Sequence, residues 1–242
     1  MEALPIVSLT NILSVGIVLI LMVLLWRRNR EQPNASVRAL LWFLSAVGLA
    51  SAVAVLPGLV IKDIFAMKLV VAAIDFVVFC ILVAYSHFLF GLLSPARRFF
   101  QIGIPAFILL LGIGVVLWEI IDYVPVEPVF SSIAGIPTVS YDWNLPPGSQ
   151  ILTGVLGAVL FALGGLVFFR EALRTKETQL RKRSLFLGGG FAMAALAVAL
   201  TYLREYVPGL EDLAVLSPLT VFLSLFLLYR GALIPAQRRS DA

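Results

Sequence analysis

The apolar positions of this chain fall in long unbroken blocks, not in the alternation of a half-buried strand. Seven blocks stand out, at about residues 4–26, 39–60, 66–93, 102–121, 151–173, 185–203 and 213–233. Each reaches the roughly 20 residues that a helix needs to cross a bilayer core about 30 Å thick. Helices and closed barrels are the two forms that satisfy the backbone inside lipid, and continuous hydrophobicity argues for helices. The pattern therefore predicts an all-α membrane protein, a seven-transmembrane helix bundle forming a single domain over residues 1–242. The longest polar gap, residues 122–150, becomes an extracytoplasmic loop.

Composition sharpens this. The chain is 61% hydrophobic and 13% charged, more apolar surface than a soluble domain of this size can bury. Charge then sets the orientation. Arg27, Arg28, Arg30, Arg38, Arg97, Arg98, Arg170, Arg174, Lys176, Arg181, Lys182, Arg183, Arg230, Arg238 and Arg239 all fall on one side of a seven-span scheme. Only Lys62, Lys68 and Arg204 fall on the other, together with most of the acids, among them Asp63, Glu119, Asp122, Glu127 and Asp142. The positive-inside rule places the N-terminus outside and the C-terminus in the cytoplasm. Arg27 and Arg28 follow the first apolar block instead of preceding it, the order of a spanning helix and not of a cleaved signal. The net charge of +4 reads as topology and contact with the anionic inner leaflet, not as nucleic-acid binding.

Candidate chemistry is sparse. One cysteine, Cys80, and one histidine, His87, exclude an intrachain disulfide, a Cys/His zinc set and a bis-histidine haem, and no cofactor or metal is expected. Both residues share the third block with Asp75, but helical geometry separates them. At 100° and 1.5 Å per residue, Asp75 and His87 lie about 120° and about 18 Å apart, and Cys80 points about 140° from Asp75. Asp75, Phe79, Leu82 and Ser86 share one stripe. His87 and Cys80 read as structural. Asp75 reads as a ligand or hydrogen-bonding site, since a carboxylate at helix centre costs at least ~2.5 kcal/mol. Its candidate partners are Arg204, Lys62, Lys68, Thr201 and Tyr202. The lysines all flank blocks, which argues against a Schiff-base pigment. There is no acidic cluster, Ser–His pairing or phosphate loop to suggest an enzyme, and no repeat or paired intramembrane charges to suggest a carrier.

Two further features carry expectations. The loop sequence VFSSIAGIPTVSYDW predicts a small hairpin about AGIP, either a lid over the outer mouth or an interfacial loop anchored by Trp143 and Tyr141. Gly154, Ala158, Ala162 and Gly165 form one small-residue stripe, and Gly188, Ala192, Ala195 and Ala199 another, both fit for close helix approach. The run Gly188-Gly189-Gly190 predicts a tight crossing or a flexible point.

In the C-terminal half, QLRKRSLFLGGGFAMAALAVALTYL and VPGLEDLAVLSPLTVFLSLFLLYRGALIP resemble the N-terminal seven-helix sensor region of prokaryotic histidine kinases and diguanylate cyclases. The likeness rests on Arg181–Arg183 leading into helix six, Pro208–Gly209, Pro218, and Tyr229–Arg230 closing helix seven. Helix three departs from it, with KLVVAAIDF in place of a Trp/Arg/Tyr-rich start. No kinase or cyclase follows the last block before Ala242. The resemblance implies a multi-pass protein of a prokaryotic cytoplasmic membrane, either a sensor without its output domain or a relative reused for something else. On this reading Asp75, Arg204, Tyr202 and Trp143 line an outer site for a small or lipidic ligand. Arg174, Arg181, Lys182 and Arg183 meet a cytoplasmic signalling partner or lipid. The alternatives are a non-catalytic accessory subunit of a larger membrane complex and, third, a small-solute transporter.

Overall fold

The computed structural model describes residues 4–31, 33, 35–93, 98–122, 124–133, 136–203, 206 and 217–234. The protein is mostly helical. Its elements run β1 (Leu4–Pro5), α1 (Ile6–Glu31), α2 (Ala35–Val53), a broken turn α3 (Leu56–Leu59), α4 (Ile64–Leu93) and α5 (Arg98–Ile121). They continue with β2 (Glu127–Ile133), β3 (Ile136–Asp142), α6 (Pro147–Arg174), α7 (Thr178–Tyr202) and α8 (Ser217–Leu233). Five helical segments are long and apolar enough to cross a membrane: Asn11–Glu31, Ile64–Leu93, Phe99–Ile121, Pro147–Arg174 and Thr178–Tyr202. Two more apolar helices, Leu40–Val53 and Leu219–Leu233, are shorter. This is the make-up of a multi-pass membrane protein.

Several boundaries differ from the apolar blocks for local reasons. The second block breaks before its end. Pro57 (ψ 131°) and Gly58 (φ +79°) leave helical geometry, and a side chain at Gly58 would run into the Tyr141 ring 2.8 Å away. The Ser8 hydroxyl donates to the Pro57 carbonyl, fixing the start of α1 against this turn. The fifth and sixth blocks lengthen toward their basic connection: α6 runs to Arg174 and α7 starts at Thr178, so helical extensions carry the basic side chains.

Contacts divide the chain into two compact units: Met1–Ile20 with Trp42–Gln150, and Leu21–Leu41 with Ile151–Ala242. The first is organised around α4 and α5. On α4 the residues Lys68, Ala72, Asp75, Phe79, Leu82, Ser86 and Leu89 are all buried and step by three and four, one continuous face. On α5 Ile108, Gly112, Val115 and Glu119 do the same. The two faces meet where Phe79 lies over Gly112, whose absent Cβ would stand 2.5 Å from the Phe79 ring. The His87 ring Nδ1 adds a 2.8 Å hydrogen bond to the Gln101 carbonyl between the same helices, a structural role. Cys80 is free and half-buried.

The same unit contains the sheet. β2 and β3 pair antiparallel in the expected hairpin, from Glu127 opposite Asp142 to Ile133 opposite Ile136. β1 adds a parallel edge, Leu4 opposite Thr138 and Pro5 opposite Val139. That pairing removes Leu4 and Pro5 from the first predicted helix.

The second unit is a packing of small residues around α7. Gly165 of α6 approaches the backbone of Gly188 and Ala192, while Gly190 fits under Leu228 and Gly231 under Leu187 across the α7–α8 contact. The rings of Phe161 and Phe168 stack on Phe191, with centroids 6.5 and 5.7 Å away. The triple glycine is a tight crossing, and α7 is unbroken from Thr178 to Tyr202. One stripe is corrected. Ala162 is exposed, and the buried glycines of α6 are Gly154, Gly157, Gly164 and Gly165. The expected set drifts around the helix, whereas these step by three and four with Leu160 and Phe161 between them.

Candidate functional site

In a chain with so few charges, three ionisable side chains in the first unit are almost completely buried: Lys68 (1% exposed), Asp75 (2%) and Glu119 (1%). Lys68 and Asp75 are seven residues apart on α4, two turns or about 10 Å along one face. Glu119 ends the buried face of α5. It lies seven residues beyond Gly112, and Asp75 four before Phe79, on helices running in opposite directions. Helical rise from that crossing therefore sets Glu119 at a height between Asp75 and Lys68. The Glu119 carboxylate accordingly stands in electrostatic range of both.

The start of α6 closes this end of the cluster. Trp118 packs against Gly148, where any Cβ would lie 2.4 Å from the indole, and this holds the first turn of α6 beside Glu119. Ser149, fully buried, is close enough to interact with Glu119. Its hydroxyl gives its one proton to the Pro146 carbonyl at 2.8 Å. Neither Glu119 oxygen has a partner at hydrogen-bonding geometry among the described residues. Asp75 and Ser149 both interact with its carboxyl.

Lys68 reaches the loop. Its ammonium donates to the carbonyls of Trp143 and Asn144, each at 2.8 Å. Asn144 adopts φ +45°, a left-handed conformation that asparagine tolerates better than most residues. Its side-chain amide donates to the Pro125 carbonyl at 2.6 Å. The turn after β3 thus presents two successive carbonyls to one buried ammonium.

The expected site residues separate on this geometry. Asp75 is buried where the stripe predicted, with Phe79, Leu82 and Ser86 on its face. Trp143 enters through its backbone carbonyl, and its indole is 6.3 Å from the Tyr141 ring. Lys68, read from sequence as a flanking lysine, lies inside the α4 core, and Lys62 is exposed. Tyr202 belongs to the second unit, where it and Leu203 pack over Gly154. Thr201, also there, bonds to the Ala197 carbonyl and the Ser217 hydroxyl, at 2.8 and 3.0 Å. Arg204 lies outside the described residues. The reading that the chain has no paired intramembrane charges and no acidic cluster is overturned, since Asp75, Glu119 and Lys68 come together. Glu119 was missed as a member of this cluster. The signal was its spacing, which continues the three-and-four step from Ile108 through Gly112 and Val115.

On the basic face, Arg174, Arg181 and Lys182 are exposed and Arg183 is half-buried. Arg183 stands in electrostatic range of Arg28, and Arg28 donates to the Leu233 carbonyl at the end of α8.

The chain matches no protein-family model, and no curated protein or solved structure shows significant similarity to it.

Proposed function

We propose that this protein is a seven-pass sensor of a prokaryotic cytoplasmic membrane, with its N-terminus outside and its C-terminus in the cytoplasm. The ligand site is the Lys68–Asp75–Glu119 cluster, reached from the outer side. The basic face at Arg174, Arg181, Lys182 and Arg183 couples to a signalling partner or to anionic lipid. One observation carries the reading: a buried ammonium, in range of a buried carboxylate, is tied to two carbonyls of the connection that follows the hairpin. A change of charge in the cluster therefore changes the hold on that connection, which is what an outward-facing receiver requires. The likeness of the C-terminal half to histidine-kinase sensor regions points the same way.

Two measurements test it. In a Cys80→Ala background, Glu127→Cys should label from outside intact cells and Lys176→Cys only after permeabilisation. Labelling of Glu127→Cys only from the inside would overturn the orientation. The Lys176→Cys labelling rate should then change when Asp75→Asn is added, because a sensor relays the state of its outer site to its inner face. An unchanged rate would sink the sensor reading. The third expectation, a carrier, gains the paired intramembrane charges that the sequence did not reveal, and solute flux in proteoliposomes that disappears in Glu119→Gln would favour it.

A further inference from the structure

The second unit brings two arginines together where α8 ends. On α1 the buried positions Leu21 and Leu25 are followed, three residues on, by Arg28, which continues the packed face. On α7 the positions that meet α8 are Gly190, against Leu228, and Leu187, against Gly231, an antiparallel register. The next position on that face is Arg183, four residues before Leu187, about 6 Å further along the helix. In the same direction α8 runs two residues past Gly231, about 3 Å, and ends at Leu233. Arg183 therefore stands at the level where α8 stops. The Arg28 guanidinium reaches the same place, donating to the Leu233 carbonyl in electrostatic range of Arg183. Both are half-buried, whereas Arg27, Arg181 and Lys182 beside them are exposed. Like charges held together repel, and partial burial raises the cost. The carbonyl end of α8 offsets about half an elementary charge against two full ones. No ion pair to either guanidinium occurs among the described residues. Two guanidiniums carry ten N–H donors, and the Leu233 carbonyl takes one of them.

From this we infer that Arg28 and Arg183 form a site for the phosphate of one anionic lipid headgroup. The inference rests on the orientation proposed above and names the lipid contact of the basic face, adding Arg28 to it. A phosphate accepts paired N–H donors from guanidinium forks and supplies the negative charge that the pair calls for. In that orientation the end of α8 lies at the headgroup level of the inner leaflet, where anionic lipids collect and basic pockets between spanning helices take headgroups. Leu24, one turn from Arg28 toward the membrane middle, is 39% exposed and offers an acyl chain an apolar surface. That favours a lipid over a free phosphate as the occupant.

Binding to the folded state raises thermal stability by mass action, and that is the readout. Purified full-length protein in an uncharged detergent is titrated with dioleoylphosphatidylglycerol in mixed micelles at constant ionic strength. Dioleoylphosphatidylcholine and inorganic phosphate are titrated in parallel. Phosphatidylglycerol should raise the melting temperature saturably by several degrees over phosphatidylcholine. Arg183→Gln should raise the half-saturating concentration about tenfold, the loss of one charge-assisted contact. Arg27→Gln and Arg230→Gln, exposed arginines of α1 and α8, should each leave it within about twofold. Arg28→Gln should match Arg183→Gln. If it fails to fold without its Leu233 contact, Arg28→Lys serves: it keeps the charge, gives up the fork and should still raise the half-saturating concentration. Three results would overturn the site: equal melting in the two lipids, a half-saturation unmoved in Arg183→Gln, or an equal loss in Arg27→Gln, the mark of a diffuse basic surface. A response to inorganic phosphate without one to phosphatidylglycerol would overturn the lipid as occupant. The micelle titration does not depend on which side faces the cytoplasm. A failed titration with the expected cysteine labelling therefore refutes the lipid site alone, and an intact site with Glu127→Cys labelled from inside refutes the orientation alone.

Discussion

The two units solve the same problem, filling the middle of a helix packing in lipid, with opposite materials. In the first, the faces of α4 and α5 hold Phe79 and Gly112 at the crossing but a lysine and two acids toward one end. In the second, α7 is wedged between neighbours by Gly165, Gly188, Gly190 and Gly231. Lipid supplies no hydrophobic drive between helices, so the second unit gains stability from the dispersion contacts that close backbone approach allows. Small residues achieve that without any desolvated charge. The first unit carries buried charges that packing alone does not require. The difference separates a scaffold from a site: the glycine crossing explains itself, and the charge cluster calls for a function.

Removing the buried ammonium should have the largest effect. Lys68→Met removes the only buried ammonium among the described residues and leaves two acids facing each other. Loss of one member of a buried ionic group typically costs about 3–5 kcal/mol. The variant should show a markedly lower melting temperature in detergent and faster proteolysis within residues 124–146, because the Trp143 and Asn144 carbonyls lose their donor. Adding Glu119→Gln should restore a large part of the loss. A Lys68→Met protein as stable as the parent would mean that charge does not hold the cluster together.

Much of this arrangement is written in residue spacing, and some of it is not. Seven residues separate Lys68 from Asp75, and the face through Phe79, Leu82 and Ser86 follows from period alone. The same arithmetic on α5 takes Ile108, Gly112 and Val115 to Glu119. Spacing tells which face a residue occupies but not what stands opposite it. The pairing of Asp75 with Glu119 therefore stayed hidden while Asp75 was matched with cations from later helices. The hairpin was legible because its turn is local. The β1–β3 pairing was not, since it joins residues more than 130 positions apart. The carbonyls that hold Lys68 belong to backbone, which no side-chain pattern reports. In the second unit the glycine run was legible as a crossing, but the α6 stripe drifted because Ala162 was counted on the wrong face.

Neighbouring glycines in the second unit offer a smaller and more discriminating test. A methyl at Gly190 would lie 2.7 Å from Leu228 Cγ and 3.0 Å from its backbone nitrogen, whereas at Gly189 the nearest atom is Leu227 Cδ1 at an ordinary 3.5 Å. Gly190→Ala should destabilise by about 1–3 kcal/mol, the usual cost of overpacking. Gly189→Ala should be neutral or stabilising by up to about 1 kcal/mol, since alanine favours the helix. Opposite signs at adjacent positions, read as melting shifts in one detergent, identify a crossing. Equal losses would favour the flexible-point reading.

The smallest effect tests the corrected stripe on α6. Ala162 and Gly165 are three residues apart and both were assigned to one packing face by sequence, yet Ala162 is exposed and Gly165 sits 3.3 Å from the Gly188 carbonyl, measured from the position a Cβ would take. Ala162→Leu should leave the melting temperature nearly unchanged, within about 0.5 kcal/mol, as for surface substitutions generally, because lipid accepts the larger side chain. Gly165→Leu must push α6 off α7 and should lose several degrees under identical conditions. The pair matters because α6 carries Ser149 in its first turn and Arg174 at its far end. A helix held by its glycine face and indifferent on its alanine face is fixed by one side. If Ala162→Leu instead destabilises as much as Gly165→Leu, another helix covers that face, from this chain or from a second protein, and the accessory-subunit reading gains the contact it lacks.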